Sequence, residues 1–227
     1  PLIIKDIHER IAFAKDHVFI DLIMTTNGTL FTYDKIKAVV DAGITQILFS
    51  IDAATPETYN IVRPGGNFNT VIKNIKLLLD YKKENNLVIP TTRASFVTSE
   101  NNHQEKDLFI EYFSKIVDFI EVQTLSTYYD NNKNLIAPGS IKINDFKCSE
   151  PWVRLIIRAN GDVLPCCSFY GYEVILGNIN DLSLKEIYNG EKCKKLKNEI
   201  KDGVYSIPAC QTCANSLYKM KNEATSS

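Results

Sequence analysis

No cysteine precedes Cys148 in this chain of 227 residues, and all six cysteines lie between Cys148 and Cys213. The chain also has no apolar run near the roughly 20 residues of a membrane span, and no secretory signal pattern. Neither sign of charge dominates, because the formal net charge is -1. We therefore predict a cytoplasmic protein that binds neither a membrane nor nucleic acid.

The rest of the composition is that of an ordinary globular protein, with 44% apolar and 23% charged residues. Thiols stay reduced in the cytoplasm, so clustered cysteines there favour metal binding or redox chemistry over structural disulfides. Cys210 and Cys213 form a CxxC pair, whose sulfurs can converge on one metal ion or iron-sulfur cluster. The sequence therefore predicts a metal site in its last third, with further ligands from the earlier cysteines.

Helical apolar spacing alternates with short apolar runs over residues 4–123. The predicted strands are residues 18–24, 44–51, 87–97 and 119–123. Thr32 is predicted to cap the helix after the first strand, and Gly43 to end it. Strands that alternate with helices of this length indicate βα units on a parallel sheet.

Polar residues follow the first two predicted strands. Asn27 follows the first strand, Ser50 and Asp52 end the second, and Arg63 lies further downstream. Each residue alone is equally well interpreted as a helix cap or a turn residue. Together, in consecutive loops beyond the carboxyl ends of parallel strands, they favour one side of a ligand pocket.

A change in composition divides the chain. Residues 126–146 have the composition of a connecting segment, and we predict a linker there. It would separate a first domain over residues 1–125 from a second over residues 147–227.

The second domain is predicted to contain a hairpin. Asn160 and Gly161 favour the positive φ values of a tight turn, and this turn would hold Cys148 near one end of the hairpin and Cys166 near the other. Cys193 lies among helical lysines, and we interpret it as structural.

The first domain contains three further motifs, which are TTNGTL at residues 25–30, SIDA at residues 50–53 and RPGGNFNTVIKNIKLL at residues 63–78. These stretches resemble the running pattern of the radical S-adenosylmethionine (SAM) superfamily. From its start to about residue 120, the chain is similar to the later strands of a radical SAM barrel.

The cysteine-containing region is similar to the twitch or SPASM extension of the same superfamily. The similarity rests on Cys148, NGDVLPC ending at Cys166, LGNINDLSLKEIYNG at residues 176–190 and the CxxC pair. The resemblance implies an α/β fold, in which a partial (β/α)6 radical SAM barrel is followed by a small α+β twitch/SPASM-like cysteine domain.

The resemblance implies that Cys148, Cys166, Cys210 and Cys213 bind one auxiliary 4Fe-4S cluster, as in a twitch domain. In the family pattern the first cysteine after the glycine turn is the ligand, which selects Cys166 over Cys167. Cys167 occupies the position of a catalytic aspartate in sulfatase-maturing relatives, and a thiol there argues against that activity. Cys167 is either a hydrogen-atom or proton donor or a partly buried thiol without a chemical role.

By the same resemblance, Asn27, Ser50 and Asp52 lie near the ribose and methionyl groups of SAM, and Arg63 lies near its carboxylate. The family's CxxxCxxC loop, which binds the 4Fe-4S cluster that reduces SAM, does not occur among these residues. The family's GGEP motif would end at Pro1. We therefore expect an upstream segment that carries this second 4Fe-4S cluster.

The resemblance implies the C-terminal portion of an enzyme that abstracts a hydrogen atom from a small-molecule or peptide substrate through a 5'-deoxyadenosyl radical. The auxiliary cluster would transfer electrons or bind substrate, and a reductant protein is an expected partner. The alternative is a non-catalytic four-cysteine scaffold or partner protein that binds iron-sulfur or zinc. A CxxxCxxC segment upstream would distinguish the two. The slightly acidic charge disfavours a zinc-ribbon nucleic-acid binder.

Overall fold

The computed structural model describes residues 1–17, 19–125, 135–144, 146–167 and 173–220. The chain forms two compact units, Pro1–Leu125 and Ser126–Ser227. The first unit spans the residues that the sequence analysis assigns to the barrel domain.

The first unit is built on a four-stranded parallel sheet whose strands follow chain order. The strands are β1 (Ile23–Thr26), β2 (Gln46–Ser50), β3 (Thr91–Thr98) and β4 (Phe119–Thr124). Each neighbouring pair of strands is parallel, as where Ile47 lies opposite Thr92 and Ala94 opposite Ile120. The predicted α/β class with a parallel sheet is thereby confirmed.

One helix precedes the first strand of this sheet, and the others connect its strands. The helices are α1 (Ile7–Asp16), α2 (Tyr33–Asp41), α3 (Pro56–Val62), α4 (Phe68–Glu84) and α5 (Lys106–Phe113), with a 3-10 turn at His103–Glu105 before α5. Thr32 caps α2 as predicted, since its side chain accepts a hydrogen bond from the Lys35 N–H at 3.4 Å. Helix α3 is not among the predicted helices, although Thr55 caps it and Pro56 lies in its first turn, which are both helix-start signals.

One face of the sheet packs against the helices and forms the core. Buried residues alternate with half-buried ones along β2 and β3, and Ile47, Phe49, Ala94 and Phe96 are wholly buried. They belong to one apolar cluster with the inward residues of the helices, namely Ile36, Val39, Val71, Ile75, Leu78, Phe109 and Phe113. Because burial of each large apolar side chain contributes roughly 1.5–3 kcal/mol, this core holds the sheet and its loops in one register.

The first strand lies later in the chain than the predicted residues 18–24, of which Val18 is outside the described residues. Strand β1 begins at Ile23, while Phe19 and Ile20 are 60% and 87% exposed. Their apolar character therefore does not reflect burial in the sheet. A continuous apolar run without alternation does not by itself locate a strand.

The second unit, in its described residues, combines two small antiparallel sheets with short helices. One sheet contains β6 (Ile156–Ile157), β7 (Asp162–Leu164) and β8 (Gly177–Asn178), and the other contains β5 (Ser140–Lys142) and β9 (Tyr218–Met220). The predicted turn joins β6 to β7, with Gly161 at a φ of 89°. Strand β5 lies within the predicted linker, and residues 126–134 and 145 of that linker are outside the described residues.

The helices of this unit are α6 (Glu150–Val153), α7 (Leu184–Asn189), α8 (Glu191–Lys201) and α9 (Pro208–Asn215). Ser183 opens α7 through a capping box with Glu186. A small core unites the unit, made by Val163, Val174, Leu176, Ile187, Cys193, Leu196, Ile200 and Ala209. Across the residues described in both units, no helix combines the length and the apolar character that crossing a membrane requires.

Candidate functional site

The four cysteines predicted as ligands lie on three separate segments of the second unit. Cys148 lies just before α6, Cys166 just after β7, and Cys210 and Cys213 within α9. Residues three apart on a helix share a face, so α9 presents both of its thiols on the same side. We call these four residues the cysteine cluster.

The thiols of the cysteine cluster are electrostatically coupled. Burial raises the pKa of the Cys210 thiol to about 11, and the charges of Cys166, Cys148 and Cys213 add to the rise. Burial also raises the pKa of Cys148, with a further contribution from Cys213. Like charges raise one another's thiol pKa only when they are close. The structure thus brings the four predicted ligands into one neighbourhood.

The donor chemistry of the cysteine cluster suits a thiolate-bound metal. Its members are half-buried thiols, and thiolates gathered in this way repel one another unless a cation compensates their charge. Thiolates of this kind are the ligands of iron-sulfur clusters and of structural zinc. In the described residues no group of three or more His, Cys, Asp or Glu side chains is arranged to hold a metal ion. The side chains would have to move to close a coordination shell, and the ligand set stays a prediction.

Tyr205 lies against the cysteine cluster, and the sequence analysis missed it. Its hydroxyl donates to the Phe146 carbonyl at 3.0 Å. Burial raises the pKa of Tyr205, and Cys148, Cys210 and Cys213 contribute to its electrostatic surroundings. The hydrogen bond ties the segment that follows α8 to the segment that carries Cys148. No local signal marks Tyr205, since its partner lies 59 residues away in the sequence.

The two remaining cysteines are in different surroundings. Cys193 is wholly buried and packs in the core of the second unit, where a thiol serves as a small apolar side chain. Cys167 is exposed, so its interpretation as a partly buried thiol is wrong. Its sulfur accepts a hydrogen bond from Arg154 Nη1 at 3.8 Å, and Arg154 Nε pairs with Glu150 at 2.8 Å.

Asp52, in the first unit, links the ends of two strands. It follows β2, is buried, and adopts a left-handed φ of 62°, which costs about 1 kcal/mol for a residue other than glycine. Its Oδ1 accepts a hydrogen bond from the Val97 N–H at 2.8 Å, while its Oδ2 forms an ion pair with Arg63. Both carboxylate oxygens are therefore engaged, one with β3 and one with Arg63.

Asn27 forms the turn after β1. Its Oδ1 accepts hydrogen bonds from the Thr29 hydroxyl at 2.8 Å and the Thr29 N–H at 3.2 Å. The next residue, Gly28, has a φ of 75°, and a Cβ there would lie 3.1 Å from Val71 and 3.2 Å from Phe49. The turn therefore requires glycine for two reasons, its backbone conformation and its close approach to the core.

Asn74 also holds this turn, through hydrogen bonds from α4. It is not among the residues predicted from the sequence. It is buried on α4, and its Nδ2 donates to the Gly28 carbonyl at 2.8 Å and the Thr29 carbonyl at 3.2 Å. A polar residue on an otherwise apolar helix face is a sequence signal for such a bond, because a buried amide needs partners.

The first unit has a cleft of about 580 Å³ beside these residues. Its lining residues include Asn27, Tyr59, Arg63, Gly66, Asn67 and Thr70. Asn27 and Arg63 thus share the cleft, and Asp52 joins it through Arg63. Ser50 is not among the lining residues; it is half-buried and lies opposite Ser95 of β3. The interpretation of Asn27 as a turn residue is confirmed, and its interpretation as part of a ligand pocket stays a prediction.

Comparison with known families gives two matches. The radical SAM superfamily matches residues 1–107, and the iron-sulfur cluster-binding domain SPASM matches residues 148–214. The first match contains the cleft, and the second contains the cysteine cluster.

Curated relatives are similar at low identity. A tungsten-containing aldehyde ferredoxin oxidoreductase cofactor-modifying protein of Pyrococcus furiosus is 24% identical over 84% of this chain and 65% of its own length. A GTP 3',8-cyclase of Limosilactobacillus fermentum is 33% identical over 40% of this chain and 30% of its own length. The chain therefore spans less than two thirds of these relatives.

Solved structures share the fold at still lower identity. BtrN in an open conformation has a TM-score of 0.52 at 14% identity, over 95% of this chain and 67% of BtrN. The protein anSMEcpe with bound AdoMet has a TM-score of 0.54 at 17% identity, over 76% of this chain and 55% of its own. SuiB of Streptococcus suis bound to S-adenosylmethionine has a TM-score of 0.53 at 15% identity, over 92% of this chain and 56% of SuiB.

Proposed function

Because this chain belongs to the radical SAM superfamily through residues 1–107 and carries a SPASM iron-sulfur cluster-binding domain at residues 148–214, we propose that it is the C-terminal portion of a radical SAM enzyme. The single observation that carries the proposal is the gathering of the cysteine cluster inside the matched iron-sulfur domain. The bound cofactors would supply reductive cleavage of SAM and abstraction of a hydrogen atom from the substrate. The SAM-reducing 4Fe-4S cluster would be bound by an upstream segment.

The cleft of the first unit is the proposed SAM site. Arg63 would pair with the carboxylate of SAM, because a guanidinium matches a carboxylate in charge and geometry. Asn27 would bond the polar groups of the ribose. Both oxygens of Asp52 are already engaged, so its proposed role changes from contacting the ribose to orienting Arg63. Ser50 keeps its proposed place near the ribose and methionyl groups, although it does not line the cleft itself.

The cysteine cluster is the proposed site of the auxiliary 4Fe-4S cluster, which would accept electrons or help to bind substrate. Cys148, Cys166, Cys210 and Cys213 would ligate it. Tyr205 would hold the segment that carries the first of these ligands, through its bond to the Phe146 carbonyl. Cys167 stays a candidate donor of a proton or a hydrogen atom, since it is exposed and contacts Arg154.

The proposed substrate is a small molecule or a peptide, and a reductant protein is the proposed electron source. We propose no contact with membranes or nucleic acid, and a cytoplasmic location where the thiols stay reduced. Two curated relatives are named as a cofactor-modifying protein and a GTP 3',8-cyclase, and both names describe the modification of small molecules.

Metal analysis of anaerobically purified protein tests the cysteine cluster. We expect about four iron and four sulfide per chain for one cubane cluster, lost in Cys166→Ala and retained in the matched control Cys167→Ala, which changes the neighbouring thiol. Zinc in place of iron, with no sulfide, would instead support the alternative of a non-catalytic four-cysteine scaffold.

Calorimetric titration with SAM tests the cleft. We expect Arg63→Ala to weaken SAM binding by about tenfold or more, because a charge-assisted pair contributes roughly 1.5–3 kcal/mol. Arg10→Ala, which removes an exposed arginine paired with Asp6 on α1, is the control and should leave the affinity unchanged. Equal affinity in the two variants would place SAM elsewhere.

A further inference from the structure

We propose that Asn102 and Glu105 are positioning residues that hold the Asp52–Arg63 pair at the edge of the cleft. The inference rests on the proposed function, because it concerns the same SAM site. Neither residue lines the cleft, and both are buried. Their effect on SAM would therefore pass through Asp52 and Arg63.

Asn102 ties the loop after β2 to the end of β3. It is 1% exposed, and its Nδ2 donates to the Asp52 carbonyl at 2.8 Å and to the Val97 carbonyl at 2.9 Å. Its Oδ1 accepts from the Ser99 N–H at 2.7 Å and the Ser99 hydroxyl at 3.0 Å. Both amide hydrogens and the carbonyl oxygen are thus used, and a buried amide satisfied in this way permits one orientation of the loop.

Glu105 holds the start of α3. Its Oε2 accepts from the Ala54 N–H at 2.7 Å and the Thr55 N–H at 3.2 Å. Its Oε1 accepts from the Thr58 hydroxyl at 2.6 Å and from the Thr55 hydroxyl at 2.5 Å. Burial acts to raise the pKa of Glu105, but these hydrogen bonds together outweigh it and lower the pKa, so the carboxylate is held as an anion.

The two anchors act on the amino-terminal side of one short helix. Asp52 lies in the segment between β2 and α3, and Arg63 is the C-cap residue that follows α3. Asn102 fixes the backbone of Asp52 in its left-handed conformation, and Glu105 fixes the first turn of the helix from whose end Arg63 projects. The ion pair between Asp52 and Arg63 then sets the guanidinium in the cleft. Looser anchors would let the guanidinium sample other directions.

A purely structural role is the competing explanation, and Asp118 offers a matched control for it. Its Oδ2 accepts from the Thr92 N–H at 2.7 Å and the Thr92 hydroxyl at 2.8 Å. Like Glu105, this carboxylate accepts from a backbone N–H and a hydroxyl, and it also pairs with Lys82 Nζ at 3.5 Å. It lies at the amino end of the sheet, away from the cleft. A variant at Asp118 should lower stability as a variant at Glu105 does, without a route to Arg63.

The test compares Glu105→Gln, Asn102→Ala and Asp118→Asn by thermal unfolding and by calorimetric titration with SAM. We expect Glu105→Gln to weaken SAM binding by about tenfold. Asp118→Asn should lower the unfolding temperature by as much as Glu105→Gln does, and should keep wild-type affinity for SAM. Asn102→Ala should weaken binding further; if it does not fold, Glu105→Gln decides the matter. Wild-type affinity in Glu105→Gln overturns the inference.

Failure of the proposed function would look different, because the wild type itself would then not bind SAM. Hydrogen exchange decides the positioning role in that case, through the amide of Val97, which donates to Asp52 Oδ1. Faster exchange at Val97 in Glu105→Gln but not in Asp118→Asn supports the inference. Equal exchange in the two variants overturns it.

Discussion

The cleft and the cysteine cluster are organised in opposite ways. At the cleft, the loops are held by hydrogen bonds that Asn74 and Asn102 donate and that the Glu105 carboxylate accepts. At the cysteine cluster, burial and the charges of neighbouring thiols raise the pKa of Cys210 and Cys148, and the described side chains are not arranged to hold a metal ion. The first site is thus preorganised by the protein alone, whereas metal ligation would have to complete the second.

The largest expected effect is the removal of metal from the anaerobically loaded protein. Metal ligation contributes on the order of 10 kcal/mol to small thiolate domains, so chelation should strongly accelerate hydrogen exchange in the second unit and leave the first unit protected. The Cys166→Ala variant should show this loss without a chelator. Equal protection of the second unit with and without metal would contradict the contrast between the two sites.

Truncation of Asn74 tests the preorganisation of the turn after β1. Asn74→Ala leaves the Gly28 and Thr29 carbonyls without their buried donor, and we expect the free energy of unfolding of the first unit to fall by about 2 kcal/mol. Urea unfolding measures it. Asn85→Ala, at the C-cap of the same helix, is the control, because its bond to the Tyr81 carbonyl lies where water can replace it. A similar loss in the control would contradict the role of Asn74.

Two glycine variants separate backbone strain from crowding. Gly28 and Gly65 both have positive φ, of 75° and 80°, but only a Cβ at Gly28 would meet core atoms within 4 Å. Gly65→Ala should destabilise by about 1 kcal/mol through strain alone, and Gly28→Ala by about 1 kcal/mol more, since Val71 and Phe49 must shift. Thermal unfolding compares them. Equal losses of stability in the two variants would show that Val71 and Phe49 accommodate the added Cβ at little cost.

The smallest expected effect is on the acid side of the stability curve. The folded-state pKa of Glu105 is lowered from 4.5, so its contribution to stability is present above that value and is lost as the pH falls through the folded pKa. Glu105→Gln should therefore flatten the fall in stability below about pH 4.5. Part of the fall in stability would remain in this variant, because Asp118, whose pKa is also lowered, is unchanged. If stability fell with pH as steeply in Glu105→Gln as in the wild type, the lowered pKa of Glu105 would be contradicted.

Several features of both units follow from local signals. The cap at Thr32, the glycine turn at Gly161 and the alternation of strands with helices depend on residues a few positions apart, and such patterns are readable in a sequence. The cysteine spacing and the family resemblance likewise identified the four thiols that the structure brings together.

Other features depend on contacts between distant parts of the chain. The apolar run before β1 predicted a strand too early, because Phe19 and Ile20 are apolar yet exposed. The bond between Val97 and Asp52 joins residues 45 positions apart, and no local pattern predicts it. It also changed the proposed role of Asp52, since a carboxylate with two partners is poorly placed to bond a ribose.

The sequence by itself indicated the family resemblance, the candidate ligands and most of the elements, because these are encoded by residue types at short and regular spacing. Only the tertiary structure decided that Cys167 is exposed, that Cys193 is buried, and that Asn102 and Glu105 hold the loop that carries Asp52. The physical reason is that burial and hydrogen-bond partners are settled when segments pack together. A residue's own neighbours in the chain do not specify which distant segment will meet it.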